Sequence, residues 1–218
     1  MTDTEVLAGS DPADLVRAAS ILRAGGTVVL PTDTLYGLAA DILQPGAVEK
    51  VFVAKQRPPE ARVPVLLATA ADLPLLVGDV SRDAWPLIDR FWPGPLTIVF
   101  PASRSAPPEI LQGSRTIAVR VPSSRPALRV LEVLGEPVTG TSANISGQPA
   151  AVTAEQALAQ VGGRVDAVVV DDEAVRAGKP STVVELTPEG LLIRRVGVLD
   201  VDQIRQVVGG RVVVAVSD

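Results

Sequence analysis

The stretch Val28 to Asp41, VVLPTDTLYGLAAD, constrains this chain more than any other. A β-branched apolar run, Val28 to Leu30, meets Pro31 and then the short polar side chains of Thr32, Asp33 and Thr34, ahead of Tyr36 and Gly37. Pro31 has no amide to donate to a ladder and disfavours the helical region for Leu30. A buried strand is therefore predicted to stop there and to present a polar turn at the edge of its sheet. The open end of an α/β sheet is where ligands usually sit.

Composition narrows the chemistry available at that end. With 218 residues and 47% hydrophobic content the chain can bury a sizeable core, and residues 10–210 read as a single domain preceded by an N-terminal extension, 1–9. Aromatics make up only 3%, so Ala, Val and Leu must fill that core, which suits helices packed on a Val-rich sheet. The chain has no cysteine and no histidine. Thiolate nucleophiles, disulfides, zinc-thiolate sites and every triad with a histidine base are excluded. What remains is carboxylates, Lys, Arg, hydroxyls, backbone amides, or a metal carried on carboxylate or phosphate. A net charge of -5 argues against holding nucleic acid through the general surface field, though not against a local basic pocket. The N-terminus is acidic and no apolar run reaches membrane-spanning length, so no signal peptide and no membrane contact are expected, and a cytoplasmic location is.

Asp11-Pro12 opens a helix whose Leu15, Val16, Ala19 and Leu22 recur at helical spacing until Gly25-Gly26. A second helix opens at Pro45, carries Val48, Val51 and Phe52 on one stripe, and delivers Lys55 and Arg57 at its C-terminal end. Pro58 biases Arg57 out of the helical region, which lets the two cations converge on one place. Strands are predicted at Pro64 to Ala68, Leu96 to Phe100, Thr116 to Val121, Pro137 to Thr141, Ala167 to Val170, Val183 to Leu186 and Leu191 to Arg195, with an edge strand from Arg211 to Val216. Helical pieces are predicted at Ala71 to Leu76, Ser81 to Phe91, Pro126 to Leu134, Thr153 to Val161 and Asp200 to Val208, and Pro101 to Pro108 reads as a surface connection or lid. Several connections are too short for crossover helices. The expected class is α/β, one twisted mixed parallel/antiparallel sheet flanked by helices.

Three strand ends share one character: Thr32 to Thr34, Ser142 to Asn144, and Ser181-Thr182 each place small hydroxyls where a sheet edge opens. Together with Lys55, Arg57, Arg120 and Arg195 they suit phosphate and carboxylate groups. Arg120, inside its strand, must meet a partner carboxylate or a ligand anion if it is buried. Neither G-x-x-x-x-G-K-[ST] nor G-x-G-x-x-G occurs, so no P-loop or Rossmann reading is supported.

Seven segments in order, PTDTLYGLAAD, AKQRP (Ala54 to Pro58), FWPGPLT (Phe91 to Thr97), AVRVP (Ala118 to Pro122), TSANISG (Thr141 to Gly147), PSTVVEL (Pro180 to Leu186) and RRVG (Arg194 to Gly197), resemble the YrdC-like L-threonylcarbamoyladenylate synthases. The resemblance runs from Leu15 to Gly197. It implies the YrdC-like fold, in its single-domain form, around a large basic cavity. It also implies a nucleotidyltransferase reaction in which L-threonine, bicarbonate and ATP give L-threonylcarbamoyl-AMP and pyrophosphate. Mg2+ would accompany ATP, with Lys55 and Asn144 completing the phosphate and metal environment, and a separate transferase would move the group to tRNA, forming N6-threonylcarbamoyladenosine. The family's K-x-R…S-x-N tetrad is here Lys55, Arg57, Ser142 and Asn144. By matched motif, Thr34, Arg120 and Ser181 would contact threonine, and Arg57, Thr116, Ser142 and Arg195 would contact ATP. Lys55 and Arg57 are expected to neutralise the triphosphate, and Arg120 to fix the threonine carboxylate. Adenylyl transfer needs in-line positioning and charge neutralisation more than a covalent nucleophile, which fits a chain without His or Cys. One departure stands out: many members carry Asn-Pro-Leu followed by a histidine, where this chain has Val63-Pro64-Val65 followed by Ala68. Whatever that Asn and His contribute must come from backbone or another side chain.

Taken singly, Thr32, Thr34, Ser142 and Ser181 read as turn caps and Lys55 as a helix-terminal charge. Their joint occurrence beside matched cations favours a site. Arg194 and Arg195 fall on opposite faces of a strand, and the family spacing to Gly197 picks Arg195. Phe91 and Trp92 read as core and turn, Tyr36 as either core or site, and Asp171-Asp172 as a solvated loop. Two other functions stay open: a non-enzymatic RNA-binding module using the same cavity, and a YrdC-like enzyme acting on another carbamoyl or acyl donor.

Overall fold

Val28, Val29 and Leu30 are completely buried because helices cover both faces of the strand that carries them. A computed structural model describes residues 3–58, 62–209 and 212–215. In chain order the strands are β1 (Glu5–Ala8), β2 (Thr27–Pro31), β3 (Tyr36–Ala40), β4 (Val65–Leu66), β5 (Leu96–Pro101), β6 (Thr116–Arg120), β7 (Val138–Thr139), β8 (Thr141–Ser142), β9 (Ala167–Val170), β10 (Thr182–Thr187), β11 (Gly190–Arg195) and β12 (Val212–Val214). The helices are α1 (Pro12–Arg23), α2 (Ala47–Lys55), α3 (Trp85–Phe91), α4 (Pro108–Leu111), α5 (Arg125–Leu134), α6 (Ala154–Val161) and α7 (Val201–Val208).

The strands form two sheets, ordered β1-β9-β2-β3-β8 and β12-β11-β10-β5-β6-β4-β7, each mixing parallel and antiparallel pairs. In the five-stranded sheet β2 lies at the centre. Val28 and Leu30 pack against α1 and α5 on one face, and Val29 faces the core that includes Val51 of α2 and Ala157 of α6 on the other. Burial on both faces explains why the run is continuously apolar instead of alternating. Asp11 caps α1 by accepting from the Ala13 amide at 2.8 Å, and Thr153 caps α6 in the same way, as the sequence predicts; Asp200 likewise caps α7.

Where the sequence predicts one sheet there are two, and the reason lies in Pro137 to Thr141. That segment divides at Gly140 into β7, which pairs with β4 of the larger sheet, and β8, which pairs with β3 of the smaller. A Cβ at Gly140 would lie 2.7 Å from the Leu66 side chain, so only glycine lets the chain pass from one sheet to the other so close to β4. A second difference follows Pro31. The chain turns through Thr32 to Leu35 and returns at once as β3, with Pro31 opposite Tyr36. The sequence reading has no strand there, because YGLAA is buried on every position and shows no alternation.

Smaller differences are local. The predicted lid ends in the short helix α4 instead of running as open loop. Residues 5–8 of the N-terminal extension pair in parallel with β9 as an edge strand. The predicted C-terminal edge strand is present as β12, parallel to β11, while its predicted ends at Arg211 and Val216 lie outside the described residues, as do residues 59–61 of the loop after Pro58.

Candidate functional site

The ends of both sheets meet around a cavity of about 220 Å³ lined by Arg57, Arg62, Arg120 and Arg195 and by the hydroxyl residues Thr32, Thr34, Thr97, Thr141, Ser142 and Ser181. No Asp or Glu is among its described lining residues. The basic lining matches expectation; the volume falls below the roughly 300–1,000 Å³ usual for ligand pockets. A second groove of about 370 Å³, lined by Thr116, Val99, Ala118 and Glu185 among others, shares Arg62 with it.

The β2-β3 turn builds the first wall. Thr32 is the turn's cap: its hydroxyl donates to the Leu35 carbonyl at 2.6 Å. The 3.0 Å contact between the Thr32 and Thr34 hydroxyls must then carry Thr34's proton, which leaves the Thr34 oxygen to accept from Arg120 Nη1 at 2.8 Å. Arg120 is only 5% exposed. Its Nε donates to the Gly94 carbonyl at 2.8 Å and its Nη2 to Asp33 Oδ1 at 2.6 Å. Asp33, also buried, accepts in addition from the Ser123 amide at 2.9 Å. Three of the guanidinium's five N–H groups are thus committed, and one on each terminal nitrogen remains for an anion in the cavity. Burial pushes the Arg120 guanidinium down from its ordinary range, with the Asp33 carboxylate opposing.

Arg195, at the end of β11, donates from Nε and Nη2 to the Ser181 carbonyl at 3.1 and 3.0 Å and from Nη2 to the Ser181 hydroxyl at 3.2 Å; that hydroxyl is 2.8 Å from Thr97 Oγ1. Burial lowers its pKa first, and the neighbouring charge of Arg120 lowers it further. Two like charges held near each other by protein contacts make a site that an anion stabilises. The adjacent Arg194 points away and pairs with Glu185 at 2.5 Å, as the opposite-face argument requires.

The tetrad Lys55, Arg57, Ser142 and Asn144 comes together, but not in one role. Helix α2 ends at Lys55 because Gln56 turns left-handed, at φ 50°, which redirects Arg57 into the cavity one residue before Pro58 can act. Arg57 is held loosely there, with contacts of 3.5 Å to the Thr141 hydroxyl and 3.3 Å to the Arg62 carbonyl, so its donors can turn to a ligand. Lys55, by contrast, is 2% exposed and lies outside the lining. Its ammonium donates to the Ser142 carbonyl, to the Asn144 carbonyl at 2.8 Å and weakly to Asn144 Oδ1 at 3.5 Å. All three N–H groups are therefore directed at the turn, which Lys55 holds chiefly through its backbone carbonyls. The Asn144 amide closes the same turn by donating to the Ile145 and Gln148 carbonyls, each at 2.8 Å. Burial, then the charge of Arg57, depresses the Lys55 pKa to about 8.

Thr116 stands apart from the other candidate residues, in the second groove, where its hydroxyl is 3.1 Å from that of Ser114. Tyr36, open between core and site in the sequence reading, is fully buried in the core and also borders the first cavity; its hydroxyl donates to Asp172 Oδ1 at 2.7 Å, and burial followed by that bond raises its pKa. Asp172 is exposed, as a solvated loop residue should be, and it also accepts from the Ala154 amide at 2.8 Å, which ties the start of α6 to Tyr36. Sequence reasoning left open whether Arg120 meets a carboxylate or a ligand anion and did not name Asp33 as its partner, and it missed Arg62 altogether.

The family model Sua5_yciO_yrdC, described as "Telomere recombination", matches residues 20–197. Threonylcarbamoyl-AMP synthase of Pyrococcus abyssi is 37% identical over 192 residues, 88% of this chain and 56% of that protein. Threonylcarbamoyl-AMP synthase of Thiobacillus denitrificans is 37% identical over 171 residues, 78% of this chain and 90% of that protein. Among solved structures, P. abyssi Sua5 complexed with L-threonine superposes with a TM-score of 0.92 at 33% identity, over 98% of this chain and 63% of the other. The chain thus spans less than two thirds of the Pyrococcus protein.

Proposed function

The chain belongs to the Sua5/YciO/YrdC family, and from that premise we propose that it is an L-threonylcarbamoyladenylate synthase. In this reading the threonine amine and bicarbonate form a carbamate with loss of water. A carbamate oxygen then attacks the α-phosphorus of ATP: the new O–P bond forms as the bridging bond to the β-phosphate breaks, and pyrophosphate leaves with the electron pair. L-Threonylcarbamoyl-AMP remains, for a separate transferase to deliver to tRNA in the cytoplasm. Among the described residues no helix is long and apolar enough to cross a membrane.

One observation carries the reading: Arg57, Arg120 and Arg195, from three distant segments, line a single cavity with Thr34, Ser142 and Ser181. Arg120 offers two free N–H groups to the threonine carboxylate, and the Thr34 oxygen, its own proton committed to Thr32, is an acceptor beside them. Arg57 and Arg195 face the phosphates, where preorganised charge lowers the barrier to transfer. In this reading Mg2+ arrives with the nucleotide and is carried on its phosphate oxygens.

The test is pyrophosphate release from ATP with each component omitted in turn and with L-serine in place of L-threonine. The proposal requires dependence on both bicarbonate and threonine and a clear preference for threonine. Equal rates with another amino acid would point to a different acyl acceptor, and salt-sensitive tRNA binding without turnover would point to an RNA-binding module.

A further inference from the structure

The cavity and its neighbouring groove have different linings, and one side chain belongs to both. The first is dominated by arginine and hydroxyl groups. The second is lined by Val63, Val99, Ile117 and Ala118 but also by Thr116 and by Glu185 and Arg194, which pair with each other at 2.5 Å. A ligand with a flat apolar part and an anionic chain fits the two together, and the junction between those parts falls at Arg62. We propose that the Arg62 guanidinium grips the polyphosphate of the nucleotide at the seam between the two cavities. This rests on the reading of the site as one for ATP.

Arg62 is placed for that task by its backbone, and its side chain has no hydrogen-bond or ion-pair partner among the described residues. Its carbonyl accepts from Arg57 Nη2 at 3.3 Å, and the next residue, Val63, is 4% exposed within the larger hydrophobic core. The residue is itself exposed. A guanidinium is suited to the seam because its planar fork meets two phosphate oxygens at once, where an ammonium meets one point. Arg57 and Arg62 are also linked through backbone, which brings two cations to the same end of the ligand without a bond between their side chains.

Truncation of the side chain keeps the carbonyl that anchors Arg57, so Arg62→Ala removes the grip and leaves the scaffold. Calorimetric titration of ATP and of AMP, alongside steady-state kinetics, reads the effect. ATP affinity should fall roughly tenfold, the loss of one charge-assisted contact in partly solvated surroundings, while AMP affinity and the KM for threonine stay within twofold. Arg62→Lys should recover part of the loss, and Arg62→Glu should bind ATP more weakly than the alanine variant. An unchanged ATP affinity in Arg62→Ala, or an equal loss for ATP and AMP, would overturn the proposal. The titrations need no turnover, so they decide the role of Arg62 even if the wild-type chain releases no pyrophosphate with threonine.

Discussion

Arg120 and Lys55 are both cations withdrawn from water beside one cavity, and they are held in opposite ways. Arg120 has a carboxylate partner in Asp33 and keeps two donors for the cavity. Lys55 has no carboxylate contact among the described residues and directs its whole ammonium at the Ser142-Asn144 turn. The difference is one of donor geometry. Five N–H groups in a rigid fork can bind protein and ligand together, whereas three on a compact head, once turned to backbone carbonyls, serve the fold alone. On the proposed function, Arg120 is the cation that would meet the substrate, and Lys55 the one that would act on it only by positioning the Ser142 turn.

The largest effect should come from breaking the Arg120 side of this comparison. Arg120→Met should lower threonine-dependent pyrophosphate release by about 10²–10³-fold. It should also cost about 3–5 kcal/mol in denaturant unfolding, because Asp33 is left buried and charged without a partner. The double variant Arg120→Met/Asp33→Asn should recover part of the stability and none of the activity. Asp33→Asn alone keeps the guanidinium in place but less firmly oriented, and should raise the KM for threonine roughly tenfold with the KM for ATP unchanged.

On the other side, Lys55→Met leaves the Ser142 and Asn144 carbonyls short of a donor, for a loss of about 1–3 kcal/mol in stability. Because the Ser142 turn loosens, the variant should lose kcat/KM for ATP while its threonine affinity stays within a few-fold. The smallest effect is a pH dependence. With its pKa lowered from 10.5 to about 8, Lys55 loses its proton in the folded chain before it does so in the unfolded one. The unfolded state then binds more protons, so the Lys55 contribution favours folding increasingly as pH rises from about 8 towards the unfolded value. Over the same window the ammonium's grip on the turn weakens. Wild-type kcat/KM for ATP should therefore decline above pH of about 8, and the residual activity of Lys55→Gln should show no such limb.

Much of this was legible in the sequence because local chemistry decides it. Caps at Asp11 and Thr153, the apolar run of β2, and the polar turn after Pro31 each follow from a few adjacent residues. Resemblance to a family then brought distant segments to one place. What could not be read depends on packing between segments far apart. The split at Gly140 needs the position of Leu66, and the pairing of Arg120 with Asp33 spans 87 residues. The true task of Lys55 needs the path of a turn 87 residues further on. The bond from Tyr36 to the exposed Asp172 could not be read because Tyr36 lies on a strand the sequence did not announce.

The contrast between the two cations is tested most directly by calorimetric titration of L-threonine into the wild-type chain, Arg120→Met and Lys55→Met, each checked for folding. Binding should vanish in Arg120→Met and persist in Lys55→Met within a few-fold of wild type. Loss of threonine binding in the lysine variant, or its survival in the arginine variant, would contradict the division of labour drawn here.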